Sequence, residues 1–193
     1  EFWITLDPGS QGIRFDIVSG AIPPGALYYE LNCLNPTAVG DTMCINGVGP
    51  HRITFCKPGN NQNTYMITSI PAPQAGPPIA VSDGCTGIIY AIGYDIPTMT
   101  WTSVPSNPTY NSYLNCMIGC DTVIVTAQPG YPPSVLYQVC GYPLGGCNTT
   151  LICDTVRVYF ISTKTATILP QNPVICFGGP PALLTANGTG GAP

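Results

Sequence analysis

Charged side chains are scarce in this chain. Five Lys and Arg and nine Asp and Glu make up only 7% of its 193 residues, for a net charge of −4 at pH 7. Five cations cannot assemble a basic nucleic-acid face or a polybasic membrane patch, so neither partner is expected. Histidine occurs once, as His51 after Gly49-Pro50. A hydrolytic site needs a nucleophile, a base and an orienting group, and no serine here sits in a Gly-x-Ser-x-Gly turn. The nine acids are spread thinly, which gives no carboxylate pair for glycoside cleavage. Gly178-Gly179 and Gly188-Thr189-Gly190-Gly191 lack the helix and lysine that follow a phosphate loop, and they read as hairpin turns. Tight Cys-x-x-Cys or His-x-x-x-His pairs for zinc and an Asp-x-Asp-x-Asp run for calcium are missing too. The composition therefore points away from an enzyme and implies no cofactor and no metal.

Long apolar runs are also lacking. Nothing approaches the ~20 apolar residues of a membrane span, and no charged-then-apolar leader opens the chain. For a secreted protein, the second point leads us to expect a mature product or an excerpt.

What is plentiful is punctuation. Twenty-two Pro and twenty-two Gly interrupt the chain every few residues and leave almost no window for a three-turn helix. The runs between them are β-branched and aromatic: Ile13 to Val18, Ala26 to Leu31, Arg52 to Phe55, Thr64 to Ile70, Gly87 to Ile92, Thr98 to Val104, Thr122 to Thr126, Ser134 to Val139, Thr155 to Ile161 and Leu183 to Ala186. Short strands at this spacing predict an all-β sandwich.

The chain also nearly repeats itself. Pro23-Pro24-Gly25-Ala26-Leu27-Tyr28 and Cys33 return as Pro132-Pro133-Ser134-Val135-Leu136-Tyr137 and Cys140, with Pro132 lying 109 positions after Pro23. That period is close to one small β domain. The second copy has some sixty residues ahead of its Pro-Pro and the first about twenty. The missing opening lies at the other end: Val174-Ile175-Cys176 and Leu183 to Gly188 match Val81 to Cys85 and Ile88 to Gly93 in order, and Phe2-Trp3-Ile4-Thr5 then falls where Met99 to Thr102 falls. The expected organisation is residues 1–70 as the second part of module I, 71–164 as module II, and 165–193 as the opening strands of module I, of the next copy or of the same domain. Ile70 to Pro78 and Ile168 to Pro173 read as extended, semi-rigid joints.

Ten cysteines in so short a chain indicate disulfides and an oxidising, extracellular compartment. In an immunoglobulin-like sandwich, cysteines on the second and sixth strands face each other across the core, beside a tryptophan on the third. Cys85, Trp101 and Cys140 fall in that order; so do Cys176, Trp3 and Cys33 once the ends are joined. The fold class expected is thus two Ig-like β-sandwich modules, one split across the chain termini. Bridges are expected from Cys85 to Cys140 and, where the ends meet in one domain, from Cys33 to Cys176. Cys44 with Cys56, Cys116 with Cys120 and Cys147 with Cys153 would then close short loops.

Trp3 and Trp101 read as core plugs. Tyr28, Tyr29, Tyr65, Tyr110, Tyr113, Tyr131 and Tyr142 cannot all be buried, and exposed tyrosine makes good contact surface for other chains or sugars. Asp41-Thr42-Met43, Asp121-Thr122-Val123 and Asp154-Thr155-Val156 share one form, in which Asp suits the turn, Thr starts the strand and the third residue faces the core. Asn148-Thr149-Thr150 and Asn187-Gly188-Thr189 have the form of N-glycosylation acceptors.

Several phrases resemble the tandem immunoglobulin-like, PKD-like and SprB-type repeats of large surface proteins exported by the type IX system of gliding-type Bacteroidota. They are Arg52 to Asn61, Tyr65 to Ile70, Gly84 to Gly87, Cys120 to Val123 and Asn172 to Gly179. This resemblance implies a cell-surface adhesin or fibre component without catalysis. It also implies O-linked glycans on Thr42, Thr122 and Thr155, the threonines of the Asp-Thr form. The family's C-terminal sorting domain is absent from these residues, which again leads us to expect an excerpt or processed repeat. The leading expectation is a structural repeat whose partners are further copies of itself, head to tail. The rival is a module that binds surface glycans or proteins.

Overall fold

The computed structural model describes residues 1–20, 28–31, 34–56, 62, 64–174, 177, 179 and 181–191. The chain is all β, apart from single helical turns, and builds two Ig-like sandwich modules.

Module I comprises β1 (Phe2–Ile4), β2 (Ser10–Ser19), β3 (Tyr28–Leu31), β4 (Leu34–Ala38), β5 (Thr42–Cys44), β6 (His51–Cys56) and β7 (Thr64–Pro71). One sheet has the order β1-β6-β3-β4 and the other β5-β2-β7. Every pairing is antiparallel, so each strand can turn one face inward and one to solvent. On β2 the period of two is visible: Ile13 and Phe15 are buried and Arg14 between them is exposed. These two pack with Leu6, Met43, Ile45 and Ile53, and Phe2 meets Phe15 edge-on at 5.8 Å.

Module II comprises β8 (Gln74–Ala75), β9 (Ile79–Ser82), β10 (Thr86–Ile92), β11 (Thr100–Val104), the single turn α1 (Pro108–Asn111), β12 (Thr122–Thr126), β13 (Ser134–Gly141) and β14 (Ile152–Leu169). One sheet is β12-β10-β8; the other is β11-β13-β14, with β9 added in parallel to β14. The opening strand is thus divided between the two sheets, and of the six strands so counted the third (β11) shares a sheet with the last two (β13 and β14), as the third strand of an immunoglobulin sandwich does with its last two; a single strand, β12, stands between them in sequence. β13 alternates along its whole length, with Val135, Tyr137 and Val139 turned into the core. Trp101 packs in the same cluster and donates its indole N–H to the Cys120 carbonyl at 2.9 Å. The Trp101 expectation holds.

Trp3 departs from expectation. It is 65% exposed, because β1 is an edge strand whose Phe2 and Ile4 pack toward the core and leave the residue between them facing out. Two segments read as joint or turn are strand instead. β14 continues through Ile168-Leu169, and Gly188 to Gly191 belong to β15 (Thr185–Gly191), paired with its distal half from Ser162 to Leu169. Glycine is permissive enough to join a ladder when a partner strand supplies the register. Among the described pairings β15 touches β14 alone, and the sheets of module I are made from residues 2–71.

Candidate functional site

Two features of this all-β chain offer chemistry or contact: the joint between the modules and the hairpin that projects past the second one. The joint is small. Ala72 N–H donates to the Gly9 carbonyl at 2.6 Å, and the Gln11 side-chain amide reaches the Leu144 and Gly93 carbonyls at 3.2 and 3.4 Å. Gly93 has φ +80°, and a Cβ there would lie 2.5 Å from the Ala72 carbonyl group, so only glycine lets the connector pass this close. Thr42, at the start of β5, lies against Gly145 in the 3-10 turn Leu144–Gly146.

A disulfide closes the joint. Cys44 at the end of β5 bonds Cys147 just after that turn, with Cα atoms 5.1 Å apart and 103 positions between them in sequence. This replaces the expected Cys44–Cys56 and Cys147–Cys153 pairs. Cys153 instead bonds Cys140, its direct cross-strand neighbour where β13 meets β14. Cys116 bonds Cys120.

The Cys85–Cys140 bridge is not formed, and the register shows why. Cys85 lies in the turn just after Ser82, which pairs Ile161 of β14, whereas Cys140 pairs Cys153 of the same strand. Eight residues of strand separate Cys153 from Ile161, about 26 Å. That is far beyond the reach of one disulfide. Cys85 is exposed and joined to none of the described cysteines. Cys33 and Cys176 lie outside the described residues, as does the side chain of Cys56. No sequence signal marks the Cys44–Cys147 bond, because it depends on how two separate modules meet.

Beside that bond runs an open groove of about 560 Å³, lined by Asp95, Tyr142, Pro143, Gly145, Gly146, Asn148 and Thr149. Tyr142 presents an exposed ring there. Asn148 accepts from both the amide and the hydroxyl of Thr150, which folds this N-glycosylation-like triplet into a local turn. Of the other tyrosines, Tyr113 is buried, Tyr65, Tyr110 and Tyr131 are half-buried, and the side chains of Tyr28 and Tyr29 lie outside the described residues.

The projecting hairpin exposes apolar side chains at its far end. Leu183 is 85% and Val174 89% exposed, and Ile168, Leu169 and Leu184 are about half exposed. A second groove, of about 430 Å³, runs between the hairpin strands over Ala166, Ile168, Pro170, Pro173 and Leu184.

The Asp-Thr positions separate on inspection. Thr122 and Thr155 are exposed at the starts of β12 and β14, whereas Thr42 faces the joint. Asp154 ties two strands together: its carboxylate accepts from Ala75 N–H at 2.8 Å and from Thr155 N–H at 2.7 Å. Nearby, burial, with Asp154 adding to it, pushes the Tyr94 phenol up to about 12. Its hydroxyl has no hydrogen-bond partner among the described residues. Burial likewise raises the Tyr137 and Tyr113 phenols. His51 is engaged with the Gly47 carbonyl at 3.0 Å. Among the described residues no helix is long and apolar enough to cross a membrane, and no three His, Cys, Asp or Glu converge as a metal site would require.

No family model matches this chain. No curated protein matches it either. Among solved structures it is similar to the N-terminal four Ig domains of Dscam1. For isoform 4.44 the identity is 15% and the TM-score 0.30, covering 98% of this chain and 61% of that one. For isoform 8.4 the values are 15% and 0.31, covering 99% and 59%. The chain thus spans about three fifths of either structure. Its immunoglobulin-like character rests on strand order and register.

Proposed function

We propose that this chain is a structural repeat of an extracellular fibre or adhesin stalk, joined head to tail to further copies of itself. The projecting hairpin carries the reading. β14 runs about 26 Å past the sheet of module II with β15 as its one described partner, and a two-stranded ribbon is marginal in water by itself. Its exposed Leu183, Leu184, Ile168 and Leu169 call for a cover, and no charged side chain stands among them. At the other end of the chain, β1 is an edge strand with Trp3 facing out. Ladder completion at such an edge is a recognised mode of strand addition, and a heterologous contact that does not close builds an open filament. The disulfides, the scarcity of charged residues and the two-module period agree with a secreted or surface location, where glycans on Thr122 and Thr155 would face solvent.

Sedimentation of the full chain over a range of concentrations tests the proposal. A ladder of linear oligomers is expected, and Leu183→Asp combined with Leu184→Asp should reduce it to the single unit. A wild-type chain that stays monomeric at every concentration defeats the reading.

A second reading, a glycan- or protein-binding module, draws on the groove beside Tyr142 and Asp95. Glycan-array binding that is retained by the Leu183→Asp, Leu184→Asp monomer and lost in Tyr142→Ala would favour it.

A further inference from the structure

We infer that the Cys44–Cys147 bond is a force bypass: tension applied along the chain crosses from module I to module II through the sulfur bridge and leaves the intervening residues slack. The inference does not require the head-to-tail reading, although a fibre repeat is where such a device would matter.

A force entering at the N-terminus travels along residues 1–44 and, among the described residues, meets its first covalent branch at Cys44. The route through the backbone to Cys147 is 103 residues long, and the route through the bridge spans Cα atoms 5.1 Å apart. The short path takes the tension. Everything between is shielded: β6 and β7 of module I, and β8 to β13 of module II. That stretch contains most of the larger core, including Val81, Ile89, Trp101, Val123, Tyr137 and Val139.

Beyond Cys147 the path enters β14 at Ile152. Here the second bond matters, because Cys140–Cys153 fastens β13 to β14 at the point of entry. The strand that remains in the path is thus pinned to the module at its entry. Tension then runs along β14 and back along β15, whose Gly191 pairs with Ser162, so the hairpin opens from that end while the rest of module II hangs from β14. The joint's few hydrogen bonds, from Gln11 and Ala72, are individually worth about 1 kcal/mol and would not hold such a junction by themselves.

Single-molecule pulling of the full oxidised chain between its ends reads this out as length. Opening the bridge with Cys44→Ser plus Cys147→Ser frees 103 residues less the 13 and 4 still closed by the other two bonds among the described residues. At about 3.5 Å per residue, that is on the order of 300 Å of additional extension at full unfolding. The wild-type chain is expected to stop short by that amount. Equal final lengths for wild type and variant would overturn the bypass, as would a wild-type chain that lengthens in one further step of about 300 Å without any reductant. Both chains are pulled as single molecules, so self-association does not enter the measurement, and its failure or success leaves the sedimentation result untouched.

Discussion

Tyr137, in the middle of β13 and fully shielded from solvent, donates its phenolic hydroxyl to the Tyr110 carbonyl at 2.8 Å. The bond fastens the central strand of one sheet to the α1 turn that follows β11. Tyr110 is not dependent on it, since its carbonyl also accepts from Tyr113 N–H. Tyr137→Phe should therefore cost only about 1 kcal/mol, whereas Tyr137→Ala, which empties the centre of the core, should cost about 3–5 kcal/mol. Chemical denaturation of the two variants checks the contrast. Equal losses would mean that the hydroxyl, not the ring, holds this part of the module.

Tyr94 sits in the opposite situation, buried with a hydroxyl that meets no partner among the described residues. Its folded form ionises near 12 and its unfolded form near the ordinary 10.0. The folded state thus keeps a proton that the unfolded state gives up, so this contribution to stability is intact below pH 10 and is lost as pH climbs toward 12. Tyr137 and Tyr113 shift the same way. Thermal melts should hold steady from pH 7 to about 10 and fall steeply above it. Tyr94→Phe should soften that fall and change stability at pH 7 by less than about 1 kcal/mol, because no bond is given up. A variant as alkali-sensitive as the parent counts against the assignment.

Asp154 holds β8 to β14 through the Ala75 amide and also accepts from Thr155 N–H. Asp154→Ala leaves the Ala75 donor half-buried without its acceptor, at a cost of about 1–3 kcal/mol. Asp154→Asn keeps one carbonyl oxygen and should recover part of it. Hydrogen exchange at Ala75 is the direct measurement, with faster exchange expected in the alanine variant.

Much of module II was legible because its strands carry clean alternation. Ser134 to Val139 places Val135, Tyr137 and Val139 on one face by period alone, and Trp101 fits the third-strand position of a sandwich. Phe2-Trp3-Ile4 offers no polar residue to set the phase, so the residue left outside was decided by the neighbouring sheet. Cysteine pairing was legible only where four residues enforce it, at Cys116 and Cys120. Cys140–Cys153 needs the β13–β14 register, and Cys44–Cys147 needs the meeting of two modules. Sequence spacing encodes neither.

The joint makes its own demand on Gly93. Its φ of +80° and the 2.5 Å separation between a built Cβ and the Ala72 carbonyl mean that Gly93→Ala meets backbone, which cannot swing aside as a side chain would. The cost should exceed about 1 kcal/mol. It should fall on the connector, lowering protease resistance near Ala72 before it lowers the melting point of module II. An unaltered digestion pattern would mean that the connector does not pass as closely as described.

A chain ending at Ile161 tests the allegiance of the tail. Among the described pairings β15 contacts β14 only from Ser162 onward, while β9 and β13 meet it at or before Ile161. Removing the tail should then leave module II within about 0.5 kcal/mol of its original stability, as expected for a change remote from a packed core. Module I has its own buried cluster of Leu6, Ile13, Phe15, Met43, Ile45 and Ile53 and should also keep its unfolding transition. Oligomers should disappear, because their connecting segment has gone. Loss of the module I transition in the truncated monomer would show that the tail completes module I of its own chain, and the head-to-tail proposal would have to give way to a closed one.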